Sequence, residues 1–66
     1  MNLEKYDKAM QDINRALELE PNKANAFGSR GILYLRMKQQ KKACLDLHKA
    51  TELGCDQTKL INENCK

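Results

Sequence analysis

Three side chains of this sequence have types and spacings that could do chemistry: Cys44, His48 and Cys65. Cys44 and His48 are four residues apart, so in a helix they lie on one face, and with Cys65 they would offer zinc two thiolates and an imidazole. A structural zinc site needs four ligands with paired spacing, and the chain has neither a Cys-x-x-Cys pair nor a second histidine. A Cys–His nucleophile lacks an orienting acid and a cleft. We therefore expect no metal, no cofactor and no catalytic residues, and a thiol- or metal-dependent protein remains a remote alternative.

The odd number of cysteines favours reduced thiols that behave as small apolar residues, but Cys44 and Cys65 also fit a second interpretation. If the third and fourth predicted helices form a hairpin that turns near Gly54, Cys44 lies ten residues before the turn and Cys65 ten residues after Cys55. At about 1.5 Å per residue, both lie about 15 Å from the turn. The prediction is a Cα separation within about 7 Å, the limit for a disulfide.

The elements that position these residues follow from an internal repeat. A shift of the sequence by 34 residues aligns many identical residues. A period of about 34 with helical patterning is typical of helix–turn–helix solenoids, whose units pack on their neighbours and offer another face to a ligand. The identical pairs are Lys8 and Lys42, Ala9 and Ala43, Asp12 and Asp46, Ala16 and Ala50, Glu18 and Glu52, and Leu19 and Leu53.

The hydrophobic periodicity predicts four helices, over residues 3–19, 23–37, 40–53 and 56–65. Pro21 ends the first helix, and Asn22 is expected to cap the second. Gly54 stands where a left-handed C-cap is needed, and Asp56 is expected to cap the fourth helix. Gly31 in the middle of the second helix predicts a close approach to the third helix, where Ala43 is the small residue opposite.

Size and charge limit the class of protein. The chain has 66 residues, 32% of them charged, with a net charge of +3, which fits one small domain. Its basic residues cluster only at Lys38, Lys41 and Lys42, in a predicted turn, so we interpret them as solvated charge and expect no nucleic-acid partner. The sequence has no membrane-spanning stretch and no signal peptide, so the expectation is no membrane partner and, by default, a cytoplasmic location.

The pattern of these residues resembles the tetratricopeptide repeat. The resemblance implies an all-α, antiparallel helix–turn–helix solenoid in a single domain over residues 1–66. Within it, 3–20 would be the second helix of a truncated repeat, 22–55 a complete repeat and 56–65 a capping helix. The complete unit reads Phe27-x-x-Arg30-Gly31-x-x-Tyr34, then Ala43-x-x-x-Leu47-x-x-Ala50 and Cys55, and the half-unit reads Ala9-x-x-x-Ile13-x-x-Ala16 and Pro21.

Some residues depart from the family pattern. Lys38 stands where glycine often eases the turn, Gln40 where an aromatic residue often packs, and Cys55 where proline is usual. These departures predict looser connections. Residues 43–54 are also similar to the related Sel1-like repeats, which remain a minor variant of the same fold.

By the same resemblance, the chain would be a protein–protein interaction module. Members of the family commonly bind peptides in a groove lined by the first helix of each repeat. Chaperone-binding members grip a terminal carboxylate with Asn and Lys or Arg, for which this chain offers only Asn25 and Arg36, so a generic groove is favoured. A purely structural fragment remains the alternative. The predicted groove residues are Asn25, Gly28, Ile32, Leu35 and Arg36.

The half-units at the two ends also predict self-association. Each end lacks the helix that would complete its repeat, so apolar surface remains to be covered. The terminal helix of one copy could dock on the first helix of another and form a homo-oligomer, with a symmetric dimer or an exchange of helices as alternatives. The residues predicted to take part are Leu3, Tyr6, Met10, Ile13, Leu17, Leu60 and Ile61.

Overall fold

Four α-helices follow one another in the computed structural model, which describes the backbone of residues 3–65 and the side chains of residues 5–65. They are α1 (Leu3–Leu19), α2 (Ala24–Arg36), α3 (Gln40–Glu52) and α4 (Thr58–Asn64). Each helix packs on the next one along the chain, with the largest interface between α2 and α3. The Cα atoms extend over 28 × 28 × 13 Å, so the helices form a single layer. The predicted all-α solenoid is confirmed.

The turn between α1 and α2 differs from the prediction at one residue. Pro21 and Asn22 form the turn, and the Lys23 N–H donates to the Glu20 carbonyl at 3.2 Å. Helix α2 therefore begins one residue later than an Asn22 cap would require. Its N-cap is Lys23, whose side chain makes no capping hydrogen bond. The predicted cap at Asn22 is wrong because the proline turn uses that residue.

The other two turns close in the same way, with a left-handed residue after the helix. At the end of α2, Lys38 has a φ of 61°, and the Gln39 N–H donates to the Tyr34 carbonyl at 2.8 Å. At the end of α3, Gly54 has a φ of 113°, and the Cys55 N–H donates to the Ala50 carbonyl at 2.8 Å. Both are Schellman closures. Proline at position 55 would have no backbone N–H to donate to the Ala50 carbonyl, so the turn after α3 could not close in this way.

The core lies between α2 and α3 and consists of small residues around one leucine. Ala43, Leu47 and Ala50 are fully buried, and Ala26 is 7% exposed. A Cβ atom at Gly31 would lie 2.8 Å from Leu47 Cγ and 3.2 Å from the Ala43 carbonyl oxygen. The predicted close approach of Gly31 to Ala43 is therefore confirmed, and Leu47 shares it.

We predict that Gly31→Ala destabilises the protein, although alanine favours helix by about 1 kcal/mol over glycine. Its Cβ would collide with the branched carbon of a buried leucine and with backbone, neither of which can move freely. Gly31→Leu should cost about 1–3 kcal/mol through overpacking. The measurement is urea unfolding followed by circular dichroism.

Gly28→Ala is the matched control for this prediction. A Cβ at Gly28 would meet the flexible end of Gln57 at 2.9 Å and otherwise only ordinary contacts at 3.7 Å. We expect this variant to be as stable as the parent or more stable. Equal effects of the two substitutions would contradict the packing at Gly31.

Candidate protein-binding surface

One side of α2 carries four of the five predicted groove residues on accessible positions. Asn25 and Arg36 are exposed, and Ile32 and Leu35 are half-buried. At about 1.5 Å per residue, Asn25 and Arg36 are about 16 Å apart along the helix. The α2 face, as we call these four residues, therefore has polar ends and an apolar middle.

Gly28, the fifth predicted groove residue, is buried. A Cβ at this position would lie 3.7 Å from both Ala50 Cβ and Cys55 Sγ. The end of α3 and the connection to α4 thus cover Gly28, and it is not part of the accessible α2 face. The sequence pattern could not show this, because the covering residues come from the following turn.

An ion pair fixes α2 against α3 beside this surface. Arg30 donates to Asp46 through Nε at 2.7 Å and through a terminal nitrogen at 2.9 Å, while its other terminal nitrogen donates to Asn14 Oδ1 at 2.9 Å. The Asp46 residue is only 6% exposed. The hydrogen bond to Asp46 raises the pKa of Arg30 above its usual value, against the opposing effect of burial.

Sequence analysis missed this network, although a signal was present. Asp46 falls on the same helix face as Ala43, Leu47 and Ala50, all of them buried. Arg30 directly precedes Gly31, the point of closest approach between α2 and α3. A carboxylate on an apolar face needs a partner, and Arg30 is the cation that can reach it.

Two of the three cysteines lie at the opposite end of the α3–α4 hairpin from its turn. Cys44 and Cys65 form a disulfide with a Cα–Cα distance of 5.7 Å, inside the predicted limit. The Gln40 side chain also donates to the Asn64 carbonyl, so two contacts join the start of α3 to the end of α4. His48 is exposed. Among the described residues, no group of three or more potential ligands is placed to hold a metal ion.

Helix α4 depends on contacts at its two ends. It has seven residues, none of them buried. At its start, the Asp56 carboxylate accepts hydrogen bonds from the Thr58 hydroxyl at 2.5 Å and from its backbone N–H at 3.0 Å. The hydrogen bond from the Thr58 hydroxyl has the larger effect, and together with the one from the backbone N–H it lowers the pKa of Asp56. At its other end the disulfide holds it.

The residues predicted to mediate self-association are partly accessible. The side chain of Leu3 lies outside the described residues. The others are half-buried, and their role in assembly stays a prediction. They are Tyr6, Met10, Ile13 and Leu17 on α1 and Leu60 and Ile61 on α4.

These features define an all-α protein built from helix–turn–helix repeats. The family model described as "Tetratricopeptide repeat" matches residues 1–23. Over 53 residues, 80% of this chain, the sequence is 38% identical to a UDP-N-acetylglucosamine–peptide N-acetylglucosaminyltransferase of Giardia intestinalis (strain ATCC 50803 / WB clone C6). The chain spans 4% of the length of that relative. No solved structure matches significantly.

The helical repeats, the family-model match over residues 1–23 and the similarity to the Giardia relative support assignment to the tetratricopeptide repeat family, and with it a protein-interaction repeat module. None of the helices within residues 3–65 has the length and hydrophobicity that a membrane span requires.

We predict that Arg30 and Asp46 are strongly coupled in stability. Arg30→Ala leaves the buried Asp46 carboxylate without its partner and should cost about 1–3 kcal/mol. A double-mutant cycle with Asp46→Ala, measured by urea unfolding, should give a coupling energy of about 1 kcal/mol or more. Asn14→Ala, which removes only the exposed contact to Arg30, is the control and should change stability by less than either. Additive effects of Arg30→Ala and Asp46→Ala would contradict the coupling.

We also predict that the disulfide holds α4 on α3. Reduction, or Cys65→Ser, should raise amide hydrogen exchange in α4 while α2 and α3 remain protected, because α4 buries no residue of its own. The measurement is exchange followed by NMR with and without reductant. Cys55→Ser is the control, since Cys55 is the free cysteine. If the amides of α4 stay protected after reduction, the other contacts of α4 hold it on α3 without the disulfide, which would contradict the prediction.

Proposed function

We propose that the α2 face binds an extended peptide segment of a partner protein and that the module works by binding, without catalysis. The observation that carries this proposal is that Ile32 and Leu35 are only half-buried, although their helix packs on both of its neighbours. Asn25 and Arg36 flank them, so apolar contact and polar orientation are available on one surface.

The chemistry of the α2 face defines its ligand. Arg36 lies in the last turn of α2, where its guanidinium can form a charge-assisted pair with a carboxylate of the peptide. Ile32 and Leu35 would take an apolar side chain, and the Asn25 amide can both donate to and accept from peptide backbone. The preferred ligand is therefore a peptide with an acidic residue next to apolar ones.

Rigidity supports this use of α2. Arg30 and Gly31 fix the helix against α3 through the ion pair to Asp46 and the contact with Leu47. A surface held in place before binding loses less conformational entropy when the ligand arrives. The Giardia relative is named as an enzyme that modifies peptides, and a peptide-binding module fits within such a protein.

The test is selection of random dodecapeptides displayed on phage against the chain, followed by fluorescence anisotropy with the enriched peptides. We expect enriched sequences that combine acidic and apolar residues and whose affinity falls about tenfold with Arg36→Glu or Leu35→Ser, which corresponds to about 1.4 kcal/mol. Binding that requires neither residue would contradict the proposal, as would a selection without enrichment.

Two variants match these in chemistry but lie on other helices. Arg15→Glu changes an exposed cation on α1, and Leu45→Ser changes a leucine on α3 that is 72% exposed. Both should leave peptide affinity unchanged. An equal loss in the controls would indicate general charge or hydrophobic attraction, and a purely structural role would then be favoured.

A further inference from the structure

Two residues that follow α3 cover the middle of the α2 face. Gly28 lies between Asn25 and Ile32 along α2, and steps of three and four residues keep all three on one side of the helix. A Cβ atom at Gly28 would lie 2.9 Å from Gln57 Nε2 and 3.7 Å from Cys55 Sγ. We call Cys55 and Gln57 the cover. A peptide that follows the α2 face past Gly28 would have to displace it.

The place of the cover is tied to the first turn of α4. Gln57 is the N-cap residue of that helix, and its carbonyl accepts a hydrogen bond from the Ile61 N–H at 2.9 Å. Its side chain donates to Cys55 Sγ at 3.3 Å, and its backbone N–H donates to the Thr51 hydroxyl at 2.9 Å. Unfolding of α4 would therefore free the Gln57 side chain from its position over Gly28.

Helix α4 in turn depends on its far end. It has seven residues and buries none of them, and an isolated helix of this length is unstable in water because its nucleation is costly. The disulfide between Cys44 and Cys65 ties the end of α4 to α3. Loss of this bond would let α4 unfold from Cys65 back to Gln57.

A thiol reductant can reach the disulfide. A depression open to solvent lies beside it, and the exposed Lys41 in its wall attracts an incoming thiolate. A dithiol reductant would be oxidised to its own disulfide, while Cys44 and Cys65 would each gain one electron and one proton to become thiols. Besides the two cysteines, the depression is lined by Gln40, Lys41, Leu45 and Asn64.

We propose that the disulfide between Cys44 and Cys65 is a redox latch that controls peptide binding by the α2 face. While the disulfide is intact, the cover lies over Gly28 and interrupts the face. After reduction α4 unfolds, the cover leaves Gly28, and the α2 face becomes continuous and binds peptide more tightly. This inference rests on the proposed function, because it concerns the regulation of the same site.

The first test measures the cover itself and needs no ligand. In the double variant Cys44→Ser, Cys65→Ser the latch is absent, and Cys55 is the only thiol, as it is in the oxidised parent. We expect iodoacetamide to alkylate Cys55 about threefold faster or more in the double variant, because a covered thiol reacts through local opening. Equal rates would show that the cover does not depend on the disulfide and would overturn the proposal.

The second test measures peptide affinity by fluorescence anisotropy. Dodecapeptides displayed on phage are selected against the oxidised parent and against the double variant, and each enriched peptide is titrated with both. We expect dissociation constants about fivefold lower for the double variant, because a site that is open for only a fraction of the time has its affinity reduced by that fraction. Dithiothreitol should give the parent the same gain and should not change the double variant.

Gln57→Ala tests the cover while the disulfide is intact. It shortens the side chain over Gly28 and should raise the peptide affinity of the oxidised chain towards that of the reduced chain. Gln11→Ala is the matched control, since Gln11 is an exposed glutamine of α1, and it should leave the affinity unchanged. A lower affinity of the Gln57→Ala chain would mean that Gln57 itself binds the peptide, which overturns the proposal.

The outcomes separate the latch from the proposed function. Peptides that bind both redox forms equally, and still lose affinity with Arg36→Glu, would overturn the latch and leave the proposed function in place. Enrichment of peptides by neither form would overturn both. Peptides that need neither Arg36 nor Leu35 would also overturn both, because the latch is a control of that site.

Discussion

The backbone of α2 lies against α3 at Gly31, and the other contacts of the chain depend on this close approach. The core around it is small, because Leu47 is the only large side chain that is fully buried within the described residues. Burying one leucine contributes about 1.5–3 kcal/mol. The short distance between the helices also brings Arg30, the neighbour of Gly31, within reach of Asp46. A side chain at this single position would therefore disturb both the apolar core and the polar network.

The ion pair fixes the alignment of α2 along α3 more than it contributes to the free energy of folding. Removing a carboxylate and a guanidinium from water is costly, and apolar replacements of such pairs are often equally stable. The two hydrogen bonds from Arg30 to Asp46 form only at one height of α2 along α3. The third bond, to Asn14, ties α1 to the same point. One guanidinium thus sets the relative positions of three helices.

The repeat and the turn residues were enough to predict the number of helices, their order and their approximate ends. Pro21 predicts a turn because proline disfavours a helical conformation in the residue before it, and Gly54 because glycine accepts a positive φ. Both effects are local in the sequence. The cap at Asn22 failed because two neighbouring residues competed for one turn. The burial of Gly28 and the ion pair at Asp46 depend on which side chains meet across helices, which periodicity alone does not determine. The residues of the α2 face were expected from the family resemblance, and helical spacing only places them on one side of α2.

The disulfide between Cys44 and Cys65 encloses most of α3, the Gly54 turn and α4 in one covalent ring. The exposed lysine Lys59 lies within this ring, in the helix without buried residues. A single peptide-bond cleavage after Lys59 therefore releases no fragment, and the product gains only the mass of one water molecule. After cleavage, the two parts of α4 stay next to α3 at a high effective concentration. The C-terminal part is lost only when the bond between Cys44 and Cys65 is also broken.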